Sequence, residues 1–445
     1  MSTNADSEVE SDQYDPPLNE LYIDEAPFGL EKTWDYEPGG HHPVHLGDQL
    51  GRDGQYRIIH KLGSGGFANV WLAQTIQEGV PKYHALKILM ADYSKDDCAE
   101  LRVNKLQNLG LESHISLPLD QFQISGPNGS HLCFVYPVAG PRVSCIAQDF
   151  EDPDKTLRKV AHQAVAVMAT LHEHGICHGD FTPSNILLRV DGLDGLAEHE
   201  VFKILGEPLT VKVFTGAGET PSDPTAPQYL VRPVNFHKVP LPYITDQVLL
   251  IDFGECYEIS NPPEELGIPE SYRAPEIVLE NKPGVGCDLW ALGCTLFEIR
   301  TGRKLFSSFD ENIDDLIRSM VLLLGVLPEP WWSTTWKHRK RWFEDEPDSE
   351  GRAVRSNGKP DRPHVARSIE RALSLGLRYS DLGPGDEFRR EISREEIELL
   401  GDLLRKILQY EPSRRLTAAE AQDHEWFRIV ESISDRMHER DGRFK

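Results

Sequence analysis

His178-Gly179-Asp180-Phe181-Thr182-Pro183-Ser184-Asn185, followed by Ile186-Leu187-Leu188, sets two polar side chains five residues apart between two apolar stretches. Upstream, Ala164 to Leu171 is apolar at helical spacing and Gly175 ends it; downstream the chain enters an apolar strand. Asp180 brings the carboxylate needed to accept a hydroxyl proton, and Asn185 an amide oxygen that can reach a metal on the same side. That division of labour suits phosphoryl transfer. Alone, the pattern H-x-D-x-x-x-x-N is equally a polar turn between helix and strand, so its meaning depends on what flanks it.

The 445 residues, 39% hydrophobic and 27% charged, suit a folded chain of two or three compact units. A formal net charge of -25 argues against nonspecific nucleic-acid binding and favours solubility or basic partners. Seven cysteines, scattered singly without a C-x-x-C, read as reduced thiols of an intracellular protein and give no zinc signature. Met1-Ser2-Thr3-Asn4-Ala5-Asp6 reads as neither a signal nor a transit peptide, and the longest apolar runs, around Val321 to Leu327, are core-sized. A cytoplasmic and/or nuclear protein with no membrane partner is expected, its oligomeric state left open.

Residues 1-55 are rich in Asp, Glu, Pro and Gly, as in Asp15-Pro16-Pro17 and Pro38-Gly39-Gly40, and are expected to form an acidic, disordered arm. His41, His42 and His45 read as a solvated turn, since no carboxylate or thiol is placed to complete a tetrahedral metal site. Order is expected to begin at Tyr56. Tyr56 to Leu62 alternates as a strand, Gly63-Ser64-Gly65-Gly66 turns it, and Phe67 to Ala73 runs back. Glycines between two strands let backbone N–H groups approach a phosphate with no Cβ in the way. The turn opens no helix and ends in no Gly-Lys-Ser/Thr, so it is neither a dinucleotide fingerprint nor a Walker loop. His84 to Leu89 then sets Lys87 among apolar neighbours, where an ammonium needs an anionic partner or a solvated edge.

Glycine hairpin, strand lysine and H-x-D-x-x-x-x-N, in that order, resemble the eukaryotic protein kinase superfamily. Ile251-Asp252-Phe253-Gly254, Ser271-Tyr272-Arg273-Ala274-Pro275-Glu276, Asp288-Leu289-Trp290-Ala291-Leu292-Gly293 and Pro412 to Ala418 continue the family's order. The resemblance implies an α+β, bilobal protein kinase fold over 56-428. A small antiparallel sheet with one helix would form the N-lobe (56-139), a larger, mainly helical C-lobe (140-428) would follow, and 429-445 would be a charged tail. A proline-rich insertion, about 190-246, separates the catalytic loop from D-F-G, and within it Val201 to Leu205 and Thr210 to Phe214 look strand-like.

The resemblance also implies roles. Lys87 would hold the phosphates of ATP, with Glu100, on a helix from about Asp96 to Leu109, as its ion-pair partner in preference to Glu112. Leu62, Gly63, Ser64, Gly65, Gly66, Phe67, Val70 and Ala85 would line the nucleotide, Tyr136 would be the gatekeeper, and Ala139 the backbone donor to adenine because Pro137 has no N–H. Asn185 and Asp252 would hold Mg2+, Asp180 would orient the substrate hydroxyl, and Arg415 would pair with Glu276 as a structural bond.

The long spacer, Tyr272-Arg273 and the extension from Asp310 to Trp332 resemble the serine/arginine-protein-kinase-like branch, whose members phosphorylate arginine-rich protein segments through acidic docking surfaces. Asp310, Glu311, Asp314 and Asp315 are candidates for such a surface, against an ordinary solvated helix face. Lys337-His338-Arg339-Lys340-Arg341 reads as a surface helix or as a nuclear address.

Three residues depart from the family. Gly179 replaces an arginine, so no side chain there can grip a phosphate on the activation segment, and Ala68 replaces the third loop glycine. Thr182 stands where a lysine would touch the γ-phosphate, a kind of group commonly worth a few kcal/mol in the transition state. Three functions are therefore carried forward: an active serine/threonine kinase, a nucleotide-binding scaffold with little transfer, and a small-molecule kinase of the aminoglycoside or choline type, which His-Gly-Asp also resembles. Lys87, Asp180, Asn185 and Asp252 standing together favour the first.

Overall fold

The computed structural model describes residues 21-23, 29-76, 79-102, 114-308, 312-349, 353-354, 368-379 and 387-429. The chain divides into two compact units, one of residues 1-95, 118-136 and 194-235, the other of 96-117, 137-193 and 236-445. Each matches its half of the expected kinase fold: an antiparallel sheet in the first, mainly helices in the second.

The first unit is built on strands β1 (Gln49–Leu50), β2 (Tyr56–Ser64), β3 (Ala68–Thr75), β4 (Tyr83–Leu89), β5 (Asp120–Gly126) and β6 (Gly129–Tyr136), in the order β1-β2-β3-β4-β6-β5. Apolar side chains at every second position, among them Ile58, Trp71, Leu86, Ile88, Cys133 and Val135, form one core. The register sets Lys87 opposite Val70 and Phe134, and Ala85 opposite Tyr136.

Two stretches outside the sheet complete that core: Val44, from the expected arm, and Val231, from the insertion. Leu21 and Tyr36 pack with Val213, Ala226 and Leu230 of the insertion. Lys61 of β2 is wholly buried and pairs with Glu31, whose other oxygen accepts from the Tyr36 hydroxyl at 2.7 Å. Packed structure is therefore present well before Tyr56, contrary to expectation. The acidic stretch holds few apolar residues, but they suffice because the insertion gives them an apolar partner. His41 is likewise buried, not part of a solvated turn, and its carbonyl accepts from Asn128 Nδ2 at 2.7 Å.

Within the insertion, Val201 to Leu205 is not a strand but part of a helix, Glu198–Leu205, with Val201, Ile204 and Leu205 buried at helical spacing. A short apolar run reads either way until its flanks are known. Thr210–Lys212 is a strand as expected, antiparallel to Tyr229–Val231.

The second unit opens with α1 (Ala99–Arg102); residues 103-113, with the rest of the expected helix and Glu112, lie outside the described residues. The main helices are α2 (Pro153–Glu173), α3 (Val285–Thr301), α4 (Ile313–Leu324) and α5 (Arg394–Ile407). Side chains cap three of them: Asp152 for α2, Asn312 for α4 and Ser393 for α5. α3 is buried along almost its whole length, which is why its sequence is apolar all round. A small sheet with the order β9-β8-β7, made of β7 (Ala139–Arg142), β8 (Ile186–Val190) and β9 (Ile244–Leu250), leads the chain away from the catalytic loop and back toward D-F-G.

Lys337 to Arg341 is not a surface helix. A turn at Lys337 and His338 leads into a single 3-10 turn, Arg339–Arg341, and Arg339 is buried, bonded to Asp345 and stacked over Trp332. Among the described residues no helix is long and apolar enough to cross a membrane.

Candidate active site

The catalytic loop is suspended from α3. Asp288, buried near the start of that helix, accepts from the backbone N–H of His178 at 2.7 Å and of Gly179 at 2.9 Å, and meets His172 Nε2 at 3.1 Å. Burial works against its charge, but the His172 bond, the nearby histidines and the backbone donors outweigh it, holding the carboxyl below the usual range. Two turns further along α3, Thr295 Oγ1 donates to the Phe181 carbonyl at 2.9 Å. The sequence reading missed both residues; the one available signal was a carboxylate and a hydroxyl inside an otherwise apolar buried helix.

His178 is buried and works in one tautomer. Its Nδ1 accepts from the Asp180 N–H at 3.2 Å, so Nε2 carries the proton it donates to the Ile251 carbonyl at 3.1 Å. The ring also packs on Phe253, with centroids 4.8 Å apart. Catalytic loop and D-F-G are thus joined through one imidazole. Gly179 has φ +81°, and a Cβ there would lie 2.1 Å from the Glu255 carbonyl oxygen. The missing arginine side chain is therefore imposed by the backbone path.

Asp180 and Asn185 are brought together. The Asn185 amide NH2 donates to the Asp180 carbonyl at 2.9 Å and to its Oδ2 at 2.8 Å, which leaves the amide oxygen as the ligand atom Asn185 has to offer. Among the described residues Asp180 Oδ1 is buried with no hydrogen-bond partner. Burial raises the Asp180 carboxyl above its ordinary range and the charges of Asp252 and Glu255 add to this, while His178 and the Asn185 bond oppose it.

Asp252 follows β9, which pairs with β8 from Val248↔Leu188 to Leu250↔Ile186, and it adopts φ +61°. Only one other non-glycine described residue, Asn281, has a positive φ, so the backbone is strained at the expected metal ligand. Thr182 is buried and its carbonyl accepts from the Asn185 N–H at 3.0 Å; it shapes the turn and brings no cation. Glu100 is buried in α1, whose Ala99 carbonyl accepts from Cys256 Sγ at 3.6 Å, beside D-F-G. Ala139 opens β7 opposite Arg189.

In the first unit the glycine hairpin closes through Gly65 N–H to the Ala68 carbonyl at 2.9 Å, and Ala68 itself is buried in β3. A Cβ added at Gly63 or Gly66 would meet nothing within 4 Å. Packing within the protein does not demand these glycines, which fits a ligand that needs a bare backbone. Leu62, Val70 and Lys87 are partly buried, Ala85 is buried, and Phe67 is exposed with its ring 4.4 Å from Tyr93.

Of the acidic docking candidates, Asp310 and Glu311 lie outside the described residues. Asp314 accepts from Trp336 Nε1 at 2.8 Å and pairs with His338, while Asp315 pairs with Arg318. Arg415 and Glu276 form the expected structural pair.

Residues 241-427 match the model of the protein kinase domain, and residues 143-204 match that of the lipopolysaccharide kinase (Kdo/WaaP) family. The first match begins near the end of the insertion and contains the A-P-E segment and α3, which favour a protein kinase over a small-molecule one. The chain is 27% identical to the serine/threonine-protein kinase SRPK of Physarum polycephalum, covering 90% of this chain and 92% of that protein. It is 24% identical to protein kinase dsk1 of Schizosaccharomyces pombe (90% and 85% covered) and 26% identical to the dual specificity protein kinase CLK2 of Homo sapiens (89% and 68%). With D-F-G, A-P-E and the Asp180–Asn185 loop inside that shared span, the chain is similar to the eukaryotic protein kinases over most of its length and resembles their serine/arginine-protein-kinase-like branch.

Proposed function

We propose that the chain is an active serine/threonine kinase that transfers the γ-phosphate of magnesium-bound ATP to protein hydroxyls in arginine-rich segments. The observation that carries this reading is Asp180: Asn185 holds one carboxylate oxygen and the other is buried without a partner among the described residues, as a base awaiting a hydroxyl would be. In this reading the backbone of Gly63 to Gly66 receives the phosphates and Lys87 offsets their charge. Asn185 and Asp252 offer the hard oxygen donors that suit Mg2+, whose charge would screen the phosphoryl oxygens. Asp180 accepts the hydrogen bond of the acceptor hydroxyl and aims its oxygen. Asp288, Thr295 and His178 fix the loop backbone, so that Asp180 needs little reorganisation.

The net charge of -25 and the resemblance to the serine/arginine-protein-kinase-like branch support a basic substrate. The seven cysteines, all outside disulfides, support a cytoplasmic or nuclear location. One observation favours a weakly active nucleotide-binding scaffold instead, namely that Thr182 is buried in a turn and supplies no cation.

The test is transfer of labelled γ-phosphate to an arginine/serine-repeat peptide, beside a basic protein without such repeats. Selective labelling of the repeat, lost in Asp180→Ala, is the expected result. No transfer to either, with ATP still raising the melting temperature, would sink the kinase reading in favour of the scaffold.

A further inference from the structure

Between D-F-G and A-P-E, residues 261-270 read Asn-Pro-Pro-Glu-Glu-Leu-Gly-Ile-Pro-Glu and contain no serine, threonine or tyrosine that could be phosphorylated. The segment is nevertheless fastened. Leu266 and Ile268 are buried, Asn281 Nδ2 donates to the Glu264 carbonyl at 3.1 Å, Arg273 Nε to the Ile268 carbonyl at 2.9 Å, and Ser308 Oγ to the Glu270 carboxylate at 2.6 Å.

One further fastening runs to the D-F-G side: the Gly267 N–H donates to Glu255 Oε2 at 3.0 Å. The fit is close, since a Cβ on Gly267 would lie 2.8 Å from Glu255 Oε1. The same Glu255 abuts the catalytic loop with its carbonyl, in the space a side chain on Gly179 would need. Its carboxylate also stands within electrostatic reach of Asp180, where a neutral residue would avoid repulsion, so packing alone does not account for an acid at this position.

We propose that Glu255 is a positioning residue for the transfer reaction, its carboxylate holding residues 261-274 in register with the catalytic loop through the Gly267 N–H. Gly179 has no side chain to grip a phosphate on this segment; Glu255 grips the Gly267 backbone N–H instead. The proposal rests on the reading of the chain as an active kinase, with residues 261-274 lying on the side that receives the protein substrate.

The test uses the full-length protein and its Glu255→Ala and Glu255→Gln variants. Amide hydrogen exchange over 261-270 is read beside KM for the arginine/serine peptide and KM for ATP. Losing one hydrogen bond to a charged acceptor predicts that Glu255→Ala exchanges about tenfold faster there and raises the peptide KM about tenfold, with KM for ATP unchanged. Glu255→Gln, which keeps an oxygen acceptor, should recover most of both. Unchanged exchange in the alanine variant, or a glutamine variant as impaired as alanine, would overturn the proposal. A wild-type protein that transfers no phosphate would defeat the kinase reading, while exchange would still decide whether Glu255 fastens the segment.

Discussion

Arg415 and Glu276 face each other through two parallel hydrogen bonds, Nη1 to Oε1 at 2.5 Å and Nη2 to Oε2 at 2.7 Å, across 139 residues of sequence and out of contact with water. Arg415 also donates to the carbonyls of Gly286, Gln409 and Tyr410, so it ties the A-P-E helix, α3 and the C-terminal region into one body. Arg415→Ala would leave Glu276 charged, buried and unpaired. Chemical denaturation should show a loss of about 3–5 kcal/mol.

Lys61 and Glu31 form a second buried pair, with the Lys61 ammonium also 5.2 Å from the Trp71 ring centroid. Glu31→Ala should cost about 3 kcal/mol, because it strands an ammonium in an apolar core. Replacing both partners with methionine should recover most of that loss. A double variant as unstable as the single one would mean that the pair itself stabilises the arm.

His41 and His42 are pushed down to about 4 by burial. Lys61 and His131 near His41, and His131 and His45 near His42, push in the same direction, while Glu31 and Asp48 oppose them. A base whose folded value lies below its unfolded 6.5 gives stability that is complete above pH 6.5 and drains away as pH falls toward 4. Unfolding free energies from urea titrations should therefore drop over that interval, by up to about 3 kcal/mol per histidine. His42→Asn should flatten the slope; an unaltered slope would remove His42 from this role.

Asp288→Asn replaces one of two accepting oxygens with a donor and leaves a buried N–H of the catalytic loop unpaired. Misaiming Asp180 in this way should lower kcat by about 10²-fold. KM for ATP should change little, and because partial unfolding would also lower kcat at constant KM, an unchanged melting temperature of the variant is the control; a melting temperature lowered enough to unfold most of the protein at the assay temperature would assign the loss to unfolding.

Thr182→Lys would restore a cation to the site. With the turn at Pro183–Asn185 intact, kcat should rise by about 10²-fold, a gain of the size expected for one electrostatic group. No gain would mean that a group on the substrate already supplies that charge.

What could be read in the sequence was what is contiguous. Asp180, Asn185 and Asp252 sit in short motifs whose spacing carries their chemistry, and the glycine hairpin announced itself by alternation around Gly63 to Gly66; the Arg415–Glu276 pair, 139 residues apart, was legible only through the family resemblance. What could not be read depended on partners far along the chain. Acidic composition hid Leu21, Tyr36 and Val44, whose burial depends on the insertion. Asp288 looked like the polar start of an apolar helix because the N–H groups it receives lie 110 and 109 residues away. Asp314, a docking candidate on charge alone, turned out to be engaged by Trp336 and His338.

Val44 and Val231 share the core of the first unit, so that unit is not finished when its six strands have been made. During synthesis the sheet must wait, with part of its apolar face uncovered, until the ribosome has passed the catalytic loop and released most of the insertion. Contacts this distant in sequence slow folding, and a waiting β-sheet invites association with other chains. The nascent protein is thus most vulnerable with its chemistry already encoded and its first sheet still open.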